Sequence, residues 1–178
     1  MHTMSSLIPT PPAVVERAAT PYVGVRRTVT MDTIDQAADR IPDLLGWLAD
    51  RGVAPAGAPF LRYLVIDMER ELLVEAGVPV SAPMDGDGEV LGGVLPAGRY
   101  VVAVVVGAPD VLVGATGQLL RWAAERDLVW DVSSGPAGDT WGCRLETYLT
   151  NPLEEPDVTS WRTELALRLR DGDPPAAR

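Results

Sequence analysis

The chain has 178 residues, with 25 acids against fifteen arginines and no lysine, for a formal net charge of −10, and it holds one histidine (His2) and one cysteine (Cys143). That inventory excludes Schiff-base and phosphate-loop lysine chemistry, a histidine-activated nucleophile in the body of the chain, a zinc site and an internal disulfide. The acidic balance sets the surface against phosphate backbones, so no direct nucleic-acid partner is expected, and no metal or cofactor is called for.

Residues 1–12 lack the charged start and apolar run of a signal peptide and are expected to be flexible. With a lone cysteine, the expected location is the cytoplasm. Ala13 to Arg17 reads as a strand that continues, after Thr20-Pro21, through Tyr22 to Val29. Asp32 is placed to cap a helix with Ile34, Ala37, Ala38, Ile41, Leu44, Leu45 and Leu48 at helical spacing. Pro42 predicts a kink or restart, and Gly52 ends the helix. Phe60 to Met68 and Glu71 to Val80 read as strands, as does Glu89 to Leu95 after the turn at Asp85-Gly86-Asp87-Gly88.

Arg99 to Gly107 is β-branched enough for a strand covered on both faces. Its apolar stretch, Tyr100 to Pro109, is far shorter than the roughly 20 residues of a membrane span, so no membrane partner is expected. Pro109-Asp110 opens a second helix to about Arg126. Ser133 to Gly138 reads as a Gly-rich loop, Trp141 to Thr150 as one strand, and Trp161 to Leu169 as the last. Residues 171–178 read as a disordered tail.

The chain repeats itself. Leu44-Leu45-Gly46-Trp47-Leu48-Ala49-Asp50-Arg51 lies over Leu119-Leu120-Arg121-Trp122-Ala123-Ala124-Glu125-Arg126 at an offset of 75, and Tyr22 lies over Tyr100 at 78. Each half reads strand, helix, strand, strand. Neither half can bury its sheet alone, so the two are expected to pair about a pseudo-two-fold axis. The expectation is an α+β fold: a curved antiparallel sheet with two helices on one side. The domain spans 13–170, with module one at about 13–95 and module two at about 96–170.

Glu146 and Tyr148 stand two apart on a strand and share a face with Arg144 and Gly142. Trp141, Cys143, Leu145 and Leu149 fall on the other face, expected to pack against the helix. A carboxylate beside a phenol suits a flat organic cation, which gains cation–π attraction of roughly 0.5–2 kcal/mol. The competing reading pairs Glu146 with Arg144 on a solvated face. Tyr63, Tyr100, Trp130 and Trp141 are candidates to complete an aromatic box, and Glu75 is a second candidate acid. Trp47 and Trp122 read as core. Cys143 reads as inert packing. Asp85 to Glu89 lacks the spacing of a calcium loop.

Leu95-Pro96-Ala97-Gly98-Arg99-Tyr100, Gly107-Ala108-Pro109-Asp110, Leu120-Arg121-Trp122 and above all Glu146-Thr147-Tyr148-Leu149-Thr150-Asn151-Pro152 resemble the GyrI-like small-molecule-binding domain, which also serves as the effector domain of multidrug-sensing transcription regulators. The likeness covers roughly residues 13 to 170. It departs in the last strand, where Arg168-Leu169-Arg170 replaces an Ile-Pro-hydrophobic segment, and no helix-turn-helix precedes the domain. The resemblance implies binding of hydrophobic or cationic aromatic molecules, with Glu146 lining the pocket. It also implies an alternative, a hydrolase that opens strained cyclopropane rings of DNA-alkylating natural products, with Glu146 activating water and Tyr148 orienting or protonating the substrate. A third implication, gyrase binding, comes from the family's name, and no residue speaks for it.

Overall fold

The computed structural model describes residues 8–172; His2 and most of the expected loose start and tail lie outside the described residues. Ten strands, β1 (Ala13–Arg17), β2 (Thr20–Val29), β3 (Phe60–Ile66), β4 (Leu72–Pro79), β5 (Leu91–Leu95), β6 (Gly98–Val106), β7 (Val132–Gly135), β8 (Gly138–Trp141), β9 (Arg144–Tyr148) and β10 (Arg162–Arg168), form one sheet. Among the described residues, three α-helical segments, α1 (Asp35–Ala38), α2 (Ile41–Asp50) and α3 (Leu112–Ala124), complete the α+β fold expected.

The strand order β1-β6-β10-β9-β3-β4-β2-β5 reads the same outward from its middle. Antiparallel β3 and β9 form the central pair, with Leu61 opposite Glu146. On one side follow β10, β6 and β1; on the other, β4, β2 and β5. The sequence suggested that β2 simply continues β1. Instead β1 pairs with β6 and β2 with β4 and β5. Likewise β5 leads directly into β6 but pairs with β2. The first strand of module one thus joins module two through β6, while β5 stays with module one, and strand propensity reports neither partner.

The helices repeat down to their caps. After α2, the Val53 amide donates to the Leu48 carbonyl at 3.0 Å; after α3, Leu128 donates to Ala123 at 3.1 Å. Both closures are Schellman turns, with positive φ at Gly52 (68°) and Asp127 (58°). Pro42 sits at the start of α2, and the first helix is interrupted between Ala38 and Ile41, where a restart was expected. Asp32 does not cap it; the Thr33 hydroxyl instead accepts from the Thr30 amide at 2.8 Å. Trp47 and Trp122 are only partly buried, each covered by an arginine one turn on, Arg51 at 3.7 Å and Arg126 at 4.1 Å.

Two apolar clusters occupy the two faces of the sheet. The larger joins Leu44 and Leu48 of α2 and Leu112, Ala115 and Leu119 of α3 to Val74, Val101, Leu61 and Leu165, and it also buries Ile8. The smaller holds Tyr22, Phe60, Leu95, Tyr100, Cys143, Leu145 and Ala166, without a helix residue. Helix–sheet packing centres on β2 and β4 for α1 and α2 and on β6 for α3. The central β3–β9 pair therefore runs between the two helical layers.

Module two carries an insertion that the sequence reading took for a loop. β7 and β8 form a hairpin, and β8 extends the sheet along β3 past the end of β9. The single strand expected over 141–150 is accordingly two, broken at Gly142-Cys143. The break has a local cause: a Cβ on Gly142 would fall on the Asp131 carboxylate.

Candidate functional site

Glu146 pairs with Leu61 on β3 and Leu165 on β10, both members of the helix-side cluster. Its face is therefore the one the helices cover. Cys143 and Leu145 point to the other face, which reverses the packing expected for this strand. Alternation showed which residues share a face; it could not show which face the helices take. Trp141 joins the Glu146 side because the Gly142-Cys143 break resets the phase between β8 and β9.

The carboxylate is held by phenols. Tyr63 and Tyr148 each donate to Oε1 of Glu146, at 3.0 and 3.1 Å. Tyr63 is buried, while Glu146, Tyr148 and Arg144 retain part of their surface. Burial pushes the Glu146 carboxyl up from its ordinary value, against the phenol hydrogen bonds and the Arg144 charge, which pull it down. Both phenols are pushed up as well, first by burial and then by the Glu146 charge, so they stay protonated donors. Arg144 makes no ion pair with Glu146 within 4.0 Å; its guanidinium lies 4.9 Å from the centre of the Trp141 ring. Trp130, bridged to Leu169, stands 5.8 Å from Trp141.

Of the candidates named from sequence, Glu146, Tyr148, Tyr63, Trp141 and Trp130 thus fall on the helix side of the sheet. Tyr100 does not join them. It belongs to the opposite face, where its hydroxyl donates to the Pro96 carbonyl at 2.6 Å. Glu75 is also remote: it is 1% exposed, accepts from the Tyr22 hydroxyl at 2.6 Å, and shares a register row with Arg62 and Leu145. That Tyr22 phenol, itself bonded by Arg62, is pushed up to about 12 by burial and the Glu75 charge. A surface depression of about 230 Å³ lined by Arg99, Asp127, Val129 and Arg170 contains no residue of the Glu146 group. Among the described residues, no group of three or more histidines, cysteines or acids could hold a metal, and no helix is long and apolar enough to cross a membrane.

The family model of the GyrI-like small-molecule-binding domain matches residues 10–170. The chain belongs to this family. No curated protein matches it. Among solved structures, the crystal structure of the EcmrR C-terminal domain is similar at 19% identity and a TM-score of 0.65, covering 91% of this chain and 98% of that one. The EcmrR chain in a cryo-EM structure of its DNA complex is 18% identical with a TM-score of 0.70 over 91% of this chain, which spans only 58% of that longer one. SAV2435, bound to tetraphenylphosphonium, is 13% identical with a TM-score of 0.57 over 90% and 94% of the two chains. A hydrolase from Listeria innocua is 12% identical with a TM-score of 0.57 over 89% and 91%. At these identities the structures share the fold with this GyrI-like domain.

What sequence reasoning weighed only as a rival is Arg144. Its place on the Glu146 face was visible in the alternation of β9. Its freedom from Glu146 was not, because that depends on two phenols reaching the same carboxylate oxygen from different strands.

Proposed function

We propose that this GyrI-like domain binds bulky, aromatic, often cationic molecules between its helical layers, on the floor set by Glu146, for sensing, sequestration or resistance in the cytoplasm. The observation that carries the reading is the convergence of Tyr63 and Tyr148 on Glu146 at the centre of the sheet. A carboxyl raised by burial is one that an incoming charge partner can draw back to the ionised form. Trp141 and Trp130, on the same side of the sheet, offer flat aromatic faces. A likeness in fold to a protein bound to tetraphenylphosphonium agrees with this class of ligand. Titration with tetraphenylphosphonium tests it: binding in the micromolar range should weaken at least tenfold in Glu146→Gln, and unaltered binding in that variant would remove Glu146 from the site.

A second reading, hydrolysis of strained cyclopropane rings, is favoured by the raised Glu146 carboxyl and by the protonated phenol beside it. Glu146 takes a proton from water as the oxygen bonds to a ring carbon. The ring C–C bond breaks toward a conjugated acceptor on the substrate, which Tyr148 protonates; the Tyr148 phenolate then recovers its proton from Glu146. Mass spectrometry of a cyclopropane-bearing alkylator after incubation should show addition of one water, lost in Glu146→Gln. No addition by the intact protein counts against the reaction for that substrate.

A further inference from the structure

We propose that the ligand of this cleft carries a carboxylate on its aromatic skeleton, and that Arg144 receives it. The inference rests on the proposed ligand cleft and specifies its chemistry.

Arg144 stands two residues before Glu146 on β9 and faces the same side, opposite Leu167 of the helix-side cluster. Other partly or fully buried arginines are engaged with oxygens. Arg17 bonds Glu164 at 2.8 Å, Arg62 bonds the Tyr22 hydroxyl and the Gly142 carbonyl, and Arg168 bonds Asp131, Asp171 and the Ala97 carbonyl. The Arg144 guanidinium has no such oxygen among the described residues. It rests against the Trp141 ring, which fixes its plane and supplies none of the acceptors its five N–H groups require. Burial lowers its pKa, while the charge of Glu146 in the first place raises it.

The nearby acids do not fill that role. Glu146 Oε1 is occupied by two phenols, and the carboxylate acts on the arginine through its charge without bonding it. Asp139, on β8, is solvent-exposed and accepts from the Ser134 hydroxyl at 3.1 Å. The site therefore presents a guanidinium with unspent donors, stacked on Trp141, on the same face as a carboxyl already engaged by two phenols. A planar carboxylate accepts two parallel N–H bonds from such a fork. A ligand without a carboxylate leaves those donors unpaired.

The test compares a rhodamine bearing a free carboxylate with the methyl ester of the same rhodamine, by fluorescence anisotropy, on the full chain. The two dyes share size and aromatic surface and differ in that one group. The expected result is at least tenfold tighter binding of the acid by the native chain. Arg144→Gln should abolish the preference for the acid over the ester, and Arg144→Lys, keeping charge without the fork, should restore part of it. Equal or tighter binding of the ester by the native chain overturns the proposal, as does an undiminished preference in Arg144→Gln. Failure of both dyes to bind the native chain sinks the ligand-cleft reading itself, and the proposal with it. Thermal melts show whether each variant is folded, and Arg144→Lys serves should the glutamine variant not be.

Discussion

Leu61 and Glu146 face each other across the central β3–β9 pair, where the two halves of the sheet meet. Tyr63 lies two residues beyond Leu61 and Tyr148 two beyond Glu146, so antiparallel pairing places the phenols on opposite sides of the pseudo-axis. Both nevertheless reach Oε1 of the one carboxylate. The repeat supplies matched donors, and its one break in symmetry at the axis, a leucine against a glutamate, supplies the charge.

Tyr63→Phe and Tyr148→Phe each remove one of the two donors while keeping the ring. Each should raise the Glu146 pKa further, because the lost hydrogen bond favoured the ionised form. Each should also cost about 1 kcal/mol of stability. A carbon-13 NMR titration of the Glu146 carboxyl reads the first effect and a denaturant melt the second. A pKa that moves in only one of the two variants contradicts the shared-oxygen arrangement.

Glu146→Gln isolates the burial of the charge. The folded-state pKa of Glu146 is raised, so its favourable contribution is complete below the unfolded value of about 4.3 and is lost as pH rises through the folded value. Glutamine still accepts from a phenol and never ionises. The variant's melting temperature relative to the native chain should therefore grow more favourable as pH rises above about 4.3 toward the raised folded value. One kcal/mol corresponds to about 2–4 °C in a chain of this size. A difference independent of pH would show that the carboxyl is not strained by burial.

Much of this architecture was legible. The helix repeat at offset 75 returns as twin arginine-covered tryptophans and twin Schellman turns, because local spacing governs both. The pairing of Glu146 and Tyr148 on one face followed from the two-residue period of a strand. The crossing of β1 to β6 and the return of β5 to β2 were not legible, since strand alternation names no partner. Nor was the loss of Tyr100 to the far face: it heads an unbroken apolar run, whose residues carry no signal of direction although the strand itself alternates buried and half-buried. The β7–β8 hairpin escaped because its serines and glycines have little β-propensity and are held by pairing with β3.

The two Schellman turns differ at one residue and so predict opposite responses. Gly52 adopts φ 68° with open space around the position of a Cβ, so Gly52→Ala strains the backbone alone and should cost about 1 kcal/mol. Asp127 already bears that cost at φ 58°. Asp127→Gly should stabilise by about 0.5–1 kcal/mol, set against the greater freedom of glycine in the unfolded chain. Thermal melts check both, and a loss of stability in Asp127→Gly would mean that its side chain holds the turn.

Gly142 sets the geometry of the site from behind. The space of its absent Cβ holds the Asp131 carboxylate, which bonds Arg168 at 2.8 Å, and the Gly142 amide donates to the Asp131 carbonyl at 2.8 Å. Its own carbonyl accepts from Arg62 at 2.9 Å. Gly142→Ala must displace Asp131 or shift the β8–β9 junction, and with it Trp141 on one side and Arg144 on the other. The expected cost is about 1–3 kcal/mol, with weaker dye binding in the folded variant. Gly46→Ala in α2, with no atom within 4 Å of the added Cβ, is the control and should stabilise by about 0.5–1 kcal/mol. Should Gly142→Ala melt and bind as the native chain does, the junction would not be what orients Trp141 against Arg144.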